Sequence, residues 1–178
     1  MQMPIRKANV KDAEGIAKVH IDSWRTAYQG IYSEECLSNL SYDECQNIWA
    51  TIYLAPTSQD AVFVAEDDSK NIVGFAICGK DRDNDPIYEG ELIGIYILEK
   101  MQRQGIGRRL VNASTQYLRS RGFNSMMVWV LAVNPSRHFY EKLGGEHVQT
   151  RDITTGGRNF KEWGYGWKSL GSLFFLTK

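Results

Sequence analysis

The alternation of apolar and polar positions along this chain predicts a mixed order of strands and helices. Residues 4–8 read as a short first strand. Residues 12–28 carry helical spacing, with Ile16, Val19, Ser23 and Ala27 on one stripe and Gly30 closing the helix. Ser33 begins a short helix, and Ser41-Tyr42-Asp43-Glu44 is a capping-box pattern for another that runs to about residue 54. Residues 61–66 and 72–79 form a predicted hairpin across the polar turn 67–71. Residues 92–98 read as a strand that feeds a glycine-containing turn and then an amphipathic helix to about residue 121. The run Met126-Met127-Val128-Trp129-Val130-Leu131-Ala132-Val133 is continuously apolar, the mark of a buried central strand. After it, Asn134 suits a helix N-cap, Pro135 the first helical position and Gly144 the left-handed residue past the end. A second hairpin is expected from residues 147–153 and 160–167 across the turn 154–159.

Composition narrows the class. With 178 residues, 43% of them hydrophobic, the chain can bury one sizeable core, so one α/β domain over residues 1–170 is expected. Residues 171–178 form an apolar tail that packs on this domain or on a partner chain, which would make a homodimer. Lys plus Arg equals Asp plus Glu at 21 each, so no global field favours nucleic acid or an anionic membrane, and neither is expected as a partner. Cys36, Cys45 and Cys78 are odd in number and widely spaced, which points to reduced thiols and no metal site. The N-terminus has no apolar signal core and no stretch is long enough to span a membrane; a cytoplasmic location is expected.

The stretch Met101-Gln102-Arg103-Gln104-Gly105-Ile106-Gly107-Arg108-Arg109-Leu110 carries the chemistry. A glycine turn between strand and helix lets backbone N–H groups approach a phosphate, and the positive end of the helix favours the negative charge. A Walker loop is excluded, because Arg108-Arg109 follows Gly107 where Lys-Ser/Thr is needed. A dinucleotide fingerprint lacks its third glycine, since Leu110 stands there. The spacing Gln102-x-x-Gly105-x-Gly107 resembles the acetyl-CoA motif of the GNAT N-acetyltransferase superfamily. The central strand followed by Asn134-Pro135-Ser136-Arg137-His138-Phe139-Tyr140-Glu141-Lys142-Leu143-Gly144 is similar to the family's second motif, in the family's order.

That resemblance implies a single-domain GNAT fold, a mixed central β-sheet flanked by α-helices on both faces. It implies an acetyl-CoA-dependent N-acetyltransferase acting on a primary amine of a small molecule or peptide by direct attack in a ternary complex. Arg103, Gln104, Gly105, Ile106, Gly107 and Arg108 would wrap the pyrophosphate. Backbone groups of Ile95, Tyr96 and Ile97 would bond the pantetheine arm, with Asn134 touching it from the next strand. A β-bulge usual in the family leaves open whether Ile95 or Tyr96 turns its side chain into the cleft. Tyr140 matches the tyrosine that protonates the departing thiolate. Glu91 stands where family members carry a general base; Glu89 shares its alternation parity and competes with it, as does water.

The acceptor is less legible. Trp24 and Tyr28, with His20 four residues earlier, form an aromatic stripe that either lines an acceptor pocket or packs in the core. His138 either faces the cofactor or is solvated. No run of acidic residues marks a polyamine site, and no basic patch marks an acidic acceptor. Two rival readings use the same turn: a catalytically inactive module that senses acyl-CoA, and a nucleotide-binding regulator.

Overall fold

Residues 3–171 and 173 are described by a computed structural model. The first half places β1 (Ile5–Lys7), α1 (Ala13–Ala27), α2 (Glu34–Ser38), α3 (Tyr42–Ile48), β2 (Ala61–Glu66), β3 (Ile72–Lys80) and β4 (Gly90–Ile97). The second half adds α4 (Ile106–Ser120), β5 (Met126–Leu131), α5 (Arg137–Lys142), β6 (Glu146–Thr155) and β7 (Arg158–Trp167). The strands form one sheet in the order β1-β2-β3-β4-β5-β7-β6. All neighbours are antiparallel except β4 and β5.

Helices cover both faces, as expected. On one face α4 presents Ile106, Leu110, Ser114 and Leu118 at a spacing of four, all buried. The small Ser114 lets the helix close on β3, where Cys78 Sγ lies 3.8 Å from the Ser114 carbonyl. Leu92, Met126, Val128, Leu143 and Trp167 complete this core. On the other face α1 packs Ile16, Ala17 and Val19 against Val62, Val64, Phe75 and Ile77. The predicted α1 stripe holds at Ile16, Val19 and Ser23, but Ala27 is exposed because the helix ends there.

β2 has the expected ends, and most other element ends differ from expectation by one or two residues. Asn134 was expected to cap a helix starting at Pro135; α5 instead starts at Arg137, and Asn134 Oδ1 accepts from the Ser136 N–H at 2.9 Å and its hydroxyl at 2.5 Å. The asparagine therefore caps a preceding turn that tightens into the helix. Ser33 and Ser41 cap α2 and α3 as predicted, and residues 49–53 continue α3 as a wider π-helical turn. The β6–β7 turn is Gly156-Gly157, with φ of 57° and 72°, the left-handed pair that a two-residue hairpin needs. Of the expected tail, Leu173 is buried in the core and Gly171 is described, so packing continues past residue 170; residues 172 and 174–178 lie outside the described residues. Among the described residues no helix is long and apolar enough to cross a membrane.

His20 lies in the α1-side packing. Its ring sits 4.7–5.9 Å from those of Trp24, Trp49, Phe75 and Tyr96. Nδ1 accepts from Trp49 Nε1 at 3.2 Å, and burial pulls the imidazole down from 6.5 to about 4. The unfolded chain thus takes up a proton near 6.5 that the folded chain resists until about 4. This contribution to stability is complete above about 6.5 and declines as pH falls toward 4. His20→Gln should flatten that decline, read as urea midpoints between neutral and acidic pH. An unchanged pH slope in the variant would place the proton uptake elsewhere.

Candidate active site

The site begins where the sheet stops being continuous. β4 and β5 pair only at Gly90 with Met126 and Glu91 with Met127, and beyond them the strands diverge. β5 is held on its other side by β7 along its whole length. Leu98 N–H bonds Val73 O at 3.0 Å, so alternation turns the backbone groups of Ile97 and Ile95 away from β3 and toward the gap. Ile97 O accepts there from Gln102 Nε2 at 3.1 Å. The backbone of Tyr96, by the same alternation, faces β3.

A bulge settles which side chains lie on which face. Ile77 pairs with Gly94 and Cys78 with Leu92, leaving Ile93 as the extra residue. Past the bulge, Ile95 and Ile97 pack on the α4 side, and Tyr96 packs on the α1 side. Gly94 makes room for that ring: a Cβ there would stand 3.0 Å from Tyr96 Cε2.

The glycine turn lies at the open end of the gap. Gly105 takes φ of 78° as the N-cap of α4, with no side-chain cap bonded to the first turn, and Arg103 is also left-handed at 61°. Arg103, Gln104, Gly105 and Arg108 are exposed, whereas Ile106 and Gly107 are buried. Arg109 turns away and donates to the Met3 carbonyl. The two glycines have different reasons. Nothing stands within 4 Å of a Cβ at Gly105, so its demand is conformational. At Gly107 a Cβ would meet the Phe139 ring at 3.1 Å and Ile97 Cδ1 at 3.4 Å, so its demand is close packing of α4 on α5 and β4.

Tyr140 is buried on α5, which is tied to β7 by Tyr165 Oη donating to Glu141 at 2.6 Å and by Trp167 Nε1 donating to the Leu143 carbonyl at 2.9 Å. Burial, then the nearby Tyr96, pushes the Tyr140 phenol up, so it keeps its proton through the neutral range. Tyr28 is shifted in the same direction by burial, then by Tyr96 and Tyr140, while the nearby Asn134 side chain opposes the shift. Tyr28, Tyr96, Tyr140 and Asn134 are therefore neighbours. The Trp24 ring lies tilted against Tyr28 at 4.7 Å and stacked on Tyr32 at 5.7 Å, continuing the wall along α1. Its indole N–H lies beside Tyr96 but meets no acceptor in hydrogen-bonding geometry. His138 is exposed and bonds Glu141 at 2.7 Å.

Glu91 is buried at 1% exposure on the α1 side, where it pairs with Arg82. Arg82 Nε donates to Oε2 at 2.8 Å and NH2 to Oε1 at 2.6 Å, and the Arg82 backbone N–H adds a bond to Oε2 at 3.3 Å. Glu89 is exposed and accepts from the Asn124 N–H at 2.6 Å, at the far end of β4 from the gap. The acids that look scattered in sequence gather here. Asp60 feels both Arg82 and Glu91, Asp81 feels Glu91, and burial pushes both carboxyls up. A separate groove of about 670 Å³, lined by Lys7, Asn112, Gln116 and Tyr117 among others, lies between β1 and α4, away from the gap. Among the described residues no group of three or more His, Cys, Asp or Glu could hold a metal ion.

The profile of the Acetyltransferase (GNAT) family matches residues 21–145. The chain belongs to this family. It is 41% identical over 169 residues to the uncharacterized N-acetyltransferase YuaI of Bacillus subtilis, covering 95% of each chain. The fold is similar to that of an N-acetyltransferase from Staphylococcus aureus Mu50, with a TM-score of 0.72 and 20% identity over 96% of this chain and 99% of that one. It is also similar to yncA of Salmonella typhimurium, solved with its cofactor acetyl-CoA, with a TM-score of 0.65 and 20% identity over 96% and 95% of the two chains. This chain is accordingly a GNAT N-acetyltransferase.

Three features of this GNAT site have no sequence signal of their own. The Arg82–Glu91 pair joins a loop to a strand nine residues on. Tyr32 and Tyr53 approach Tyr28 and Tyr96 from separate segments. The β6–β7 turn closes on α1's exit, with Gly156 against the Tyr32 ring and Arg158 donating to the Ile31 carbonyl at 2.9 Å.

The two glycines give opposed expectations. Gly105→Val forces a β-branched residue into a left-handed backbone at the turn itself, and should weaken CoA binding at least about tenfold with the fold intact. Gly107→Val should instead lower the urea midpoint, because the added atoms strike Phe139. Calorimetry and unfolding on both variants check this. Unchanged CoA affinity in a folded Gly105→Val protein would remove the turn from the binding site.

Proposed function

We propose that this enzyme transfers an acetyl group from acetyl-CoA to the primary amine of a small molecule or peptide by direct attack in a ternary complex. The divergence of β4 from β5 carries this reading. It leaves the N–H groups of Ile95 and Ile97 and the Ile95 carbonyl with no strand opposite them, in the same core as Tyr140, with the α4 N-terminus at the mouth and Glu91 at the apex. A thin, amide-bearing arm fits such a gap as a pseudo-strand, and its pyrophosphate fits the turn at Arg103, Gln104, Gly105, Ile106, Gly107 and Arg108.

Each residue then has a task. An Ile95 or Ile97 N–H polarises the acetyl carbonyl; donors of this type lower the barrier to acyl transfer by about 3–4 kcal/mol. Asn134 contacts the arm through its amide nitrogen, since Oδ1 is committed to Ser136. Glu91 takes a proton from the acceptor ammonium, directly or through one water. An alkyl ammonium titrates near ~10.4, so roughly one in a thousand is nucleophilic at neutral pH without a base. Tyr140, kept neutral by its surroundings, returns a proton to the thiolate. Trp24 and Tyr28 line the acceptor side together with Tyr96. The acceptor enters from the α1 face, opposite the cofactor turn.

Release of free thiol from acetyl-CoA across a panel of primary amines tests the activity. Tight CoA binding with no thiol release for any amine would leave a sensing module in its place. Within that assay, Tyr140→Phe removes only the hydroxyl. The turnover number should fall about 10²–10⁴-fold while cofactor affinity barely changes. Wild-type turnover with a lowered thermal midpoint would show that the hydroxyl serves packing alone.

Glu91→Gln should depress the rate most at neutral pH. The deficit should shrink as pH rises toward the acceptor's own pKa, where the amine sheds its proton unaided. A deficit of constant size from neutral to alkaline pH would assign Glu91 to acceptor positioning instead.

A further inference from the structure

The Arg82–Glu91 pair is asymmetric in exposure and in bonding. The Glu91 side chain is 2% exposed and that of Arg82 is 56% exposed, so the guanidinium lies over the carboxylate from the solvent side. Oε2 accepts two bonds from Arg82, and Oε1 accepts one. A carboxylate offers about four lone-pair sites, two on each oxygen. Arg82 therefore fills both sites of Oε2 and one of Oε1, which leaves a single open site on Oε1.

The loop that carries Arg82 is itself held. Asp81 N–H bonds the Glu89 carbonyl at 3.0 Å, and Asp85 N–H bonds Asp81 Oδ2 at 2.7 Å. Asp85 accepts from Gln149, and Asp83 from Arg151 at 2.7 Å, so the loop is anchored to the edge strand β6. Arg151 in turn bonds Glu162 at 2.8 Å and lies 3.9 Å over the Trp129 ring. These bonds fix the backbone from which Arg82 reaches Glu91. A surface arginine with a mobile backbone would hold no particular lone pair open; this one is placed to do so.

We propose that Arg82 is a positioning residue for acetyl transfer, clamping Glu91 so that one Oε1 lone pair faces the acceptor amine or its water. This rests on Glu91 acting as the base. Three of the four acceptor sites of Glu91 are spent on the clamp, so the acceptor's proton has one geometry in which to leave. Removing the guanidinium frees the carboxylate to rotate, so the open lone pair no longer holds one direction toward the acceptor. Lysine supplies the charge but not the bidentate fork, and should restore part of the effect.

A double-mutant cycle tests the clamp, with the turnover number, the acceptor KM, CoA affinity and the thermal midpoint measured for each protein. Arg82→Ala should lower the turnover number about 10- to 100-fold with CoA affinity unchanged, and Arg82→Lys should recover part of it. Arg82→Ala added to Glu91→Gln should change turnover less than about twofold, because the residue it positions is already gone. An equal loss in both backgrounds would overturn the proposal while leaving Glu91 as the base. Wild-type turnover in Glu91→Gln alone would remove the base and the clamp together. If Arg82→Ala lowers the midpoint enough to obscure turnover, Arg82→Gln keeps the stem's packing and must show the same background dependence.

Discussion

The site depends on one broken pairing, the separation of β4 from β5 after two residues. A sheet interior normally satisfies every backbone N–H and C=O through its neighbours, and a buried orphan costs about 1–3 kcal/mol. Here the gap-facing groups of β4 have no strand opposite them. The Gln102 side chain meets the Ile97 carbonyl, and the others must be met by solvent or by a ligand with amide-like groups of its own. The fold thus keeps a strand-shaped vacancy in an otherwise continuous sheet, and the rest of the molecule works to hold it open. β7 restrains β5 from the outer side over six register pairs, while β3 restrains β4 through seven. Neither strand can close the gap without losing pairing on its other edge.

That opening also explains where the side chains sit. α5 follows β5 directly and is bolted to β7 through Glu141 and Leu143, so Tyr140 is delivered to the gap by a helix of only six residues. The bulge at Ile93 sends Tyr96 to the α1 face and leaves Glu91 there too, although the two are five residues apart and simple alternation would separate them. The α1 face of β4 therefore carries both the acidic residue and the aromatic wall. The α4 face carries Ile95 and Ile97, which pack toward the glycine turn. Gly107 couples these layers, because the close approach of Phe139 and Ile97 lets α4 start against α5.

Much of this was legible in the residues, and the reasons for success and failure are physical. The β5 run, the capped helices and the glycine turn are local features: period, cap chemistry and backbone permissiveness act within ten residues. The family motifs are local in the same sense. Side-chain facing after a bulge is not, since the extra residue is set by pairing with β3. The Arg82–Glu91 pair is invisible because the charged loop reads as solvated until the fold lays it over β4. The acids at Asp60, Asp81 and Glu91 belong to three separate segments, so their convergence has no signature in sequence order. Gly105 and Gly107 look alike on paper, and only the fold reveals that Gly107 also has a packing demand against Phe139 and Ile97.

The two proposed proton-handling groups occupy opposite electrostatic settings, and this follows from the same split sheet. Tyr140 lies in packing with Phe139 and Tyr165 and near other phenols, none of which carries charge in the neutral range, so its proton stays on the oxygen. Glu91 lies against a guanidinium with further carboxylates nearby. Acyl transfer to an ammonium needs a group that accepts a proton on one side of the reacting carbon and a group that yields one on the other. An enzyme obtains the pair most simply by giving the two groups different surroundings. A continuous sheet would keep its two faces apart, with no path between them. By parting β4 from β5, the fold lets an apolar, phenol-lined wall and a charged floor meet across a single gap.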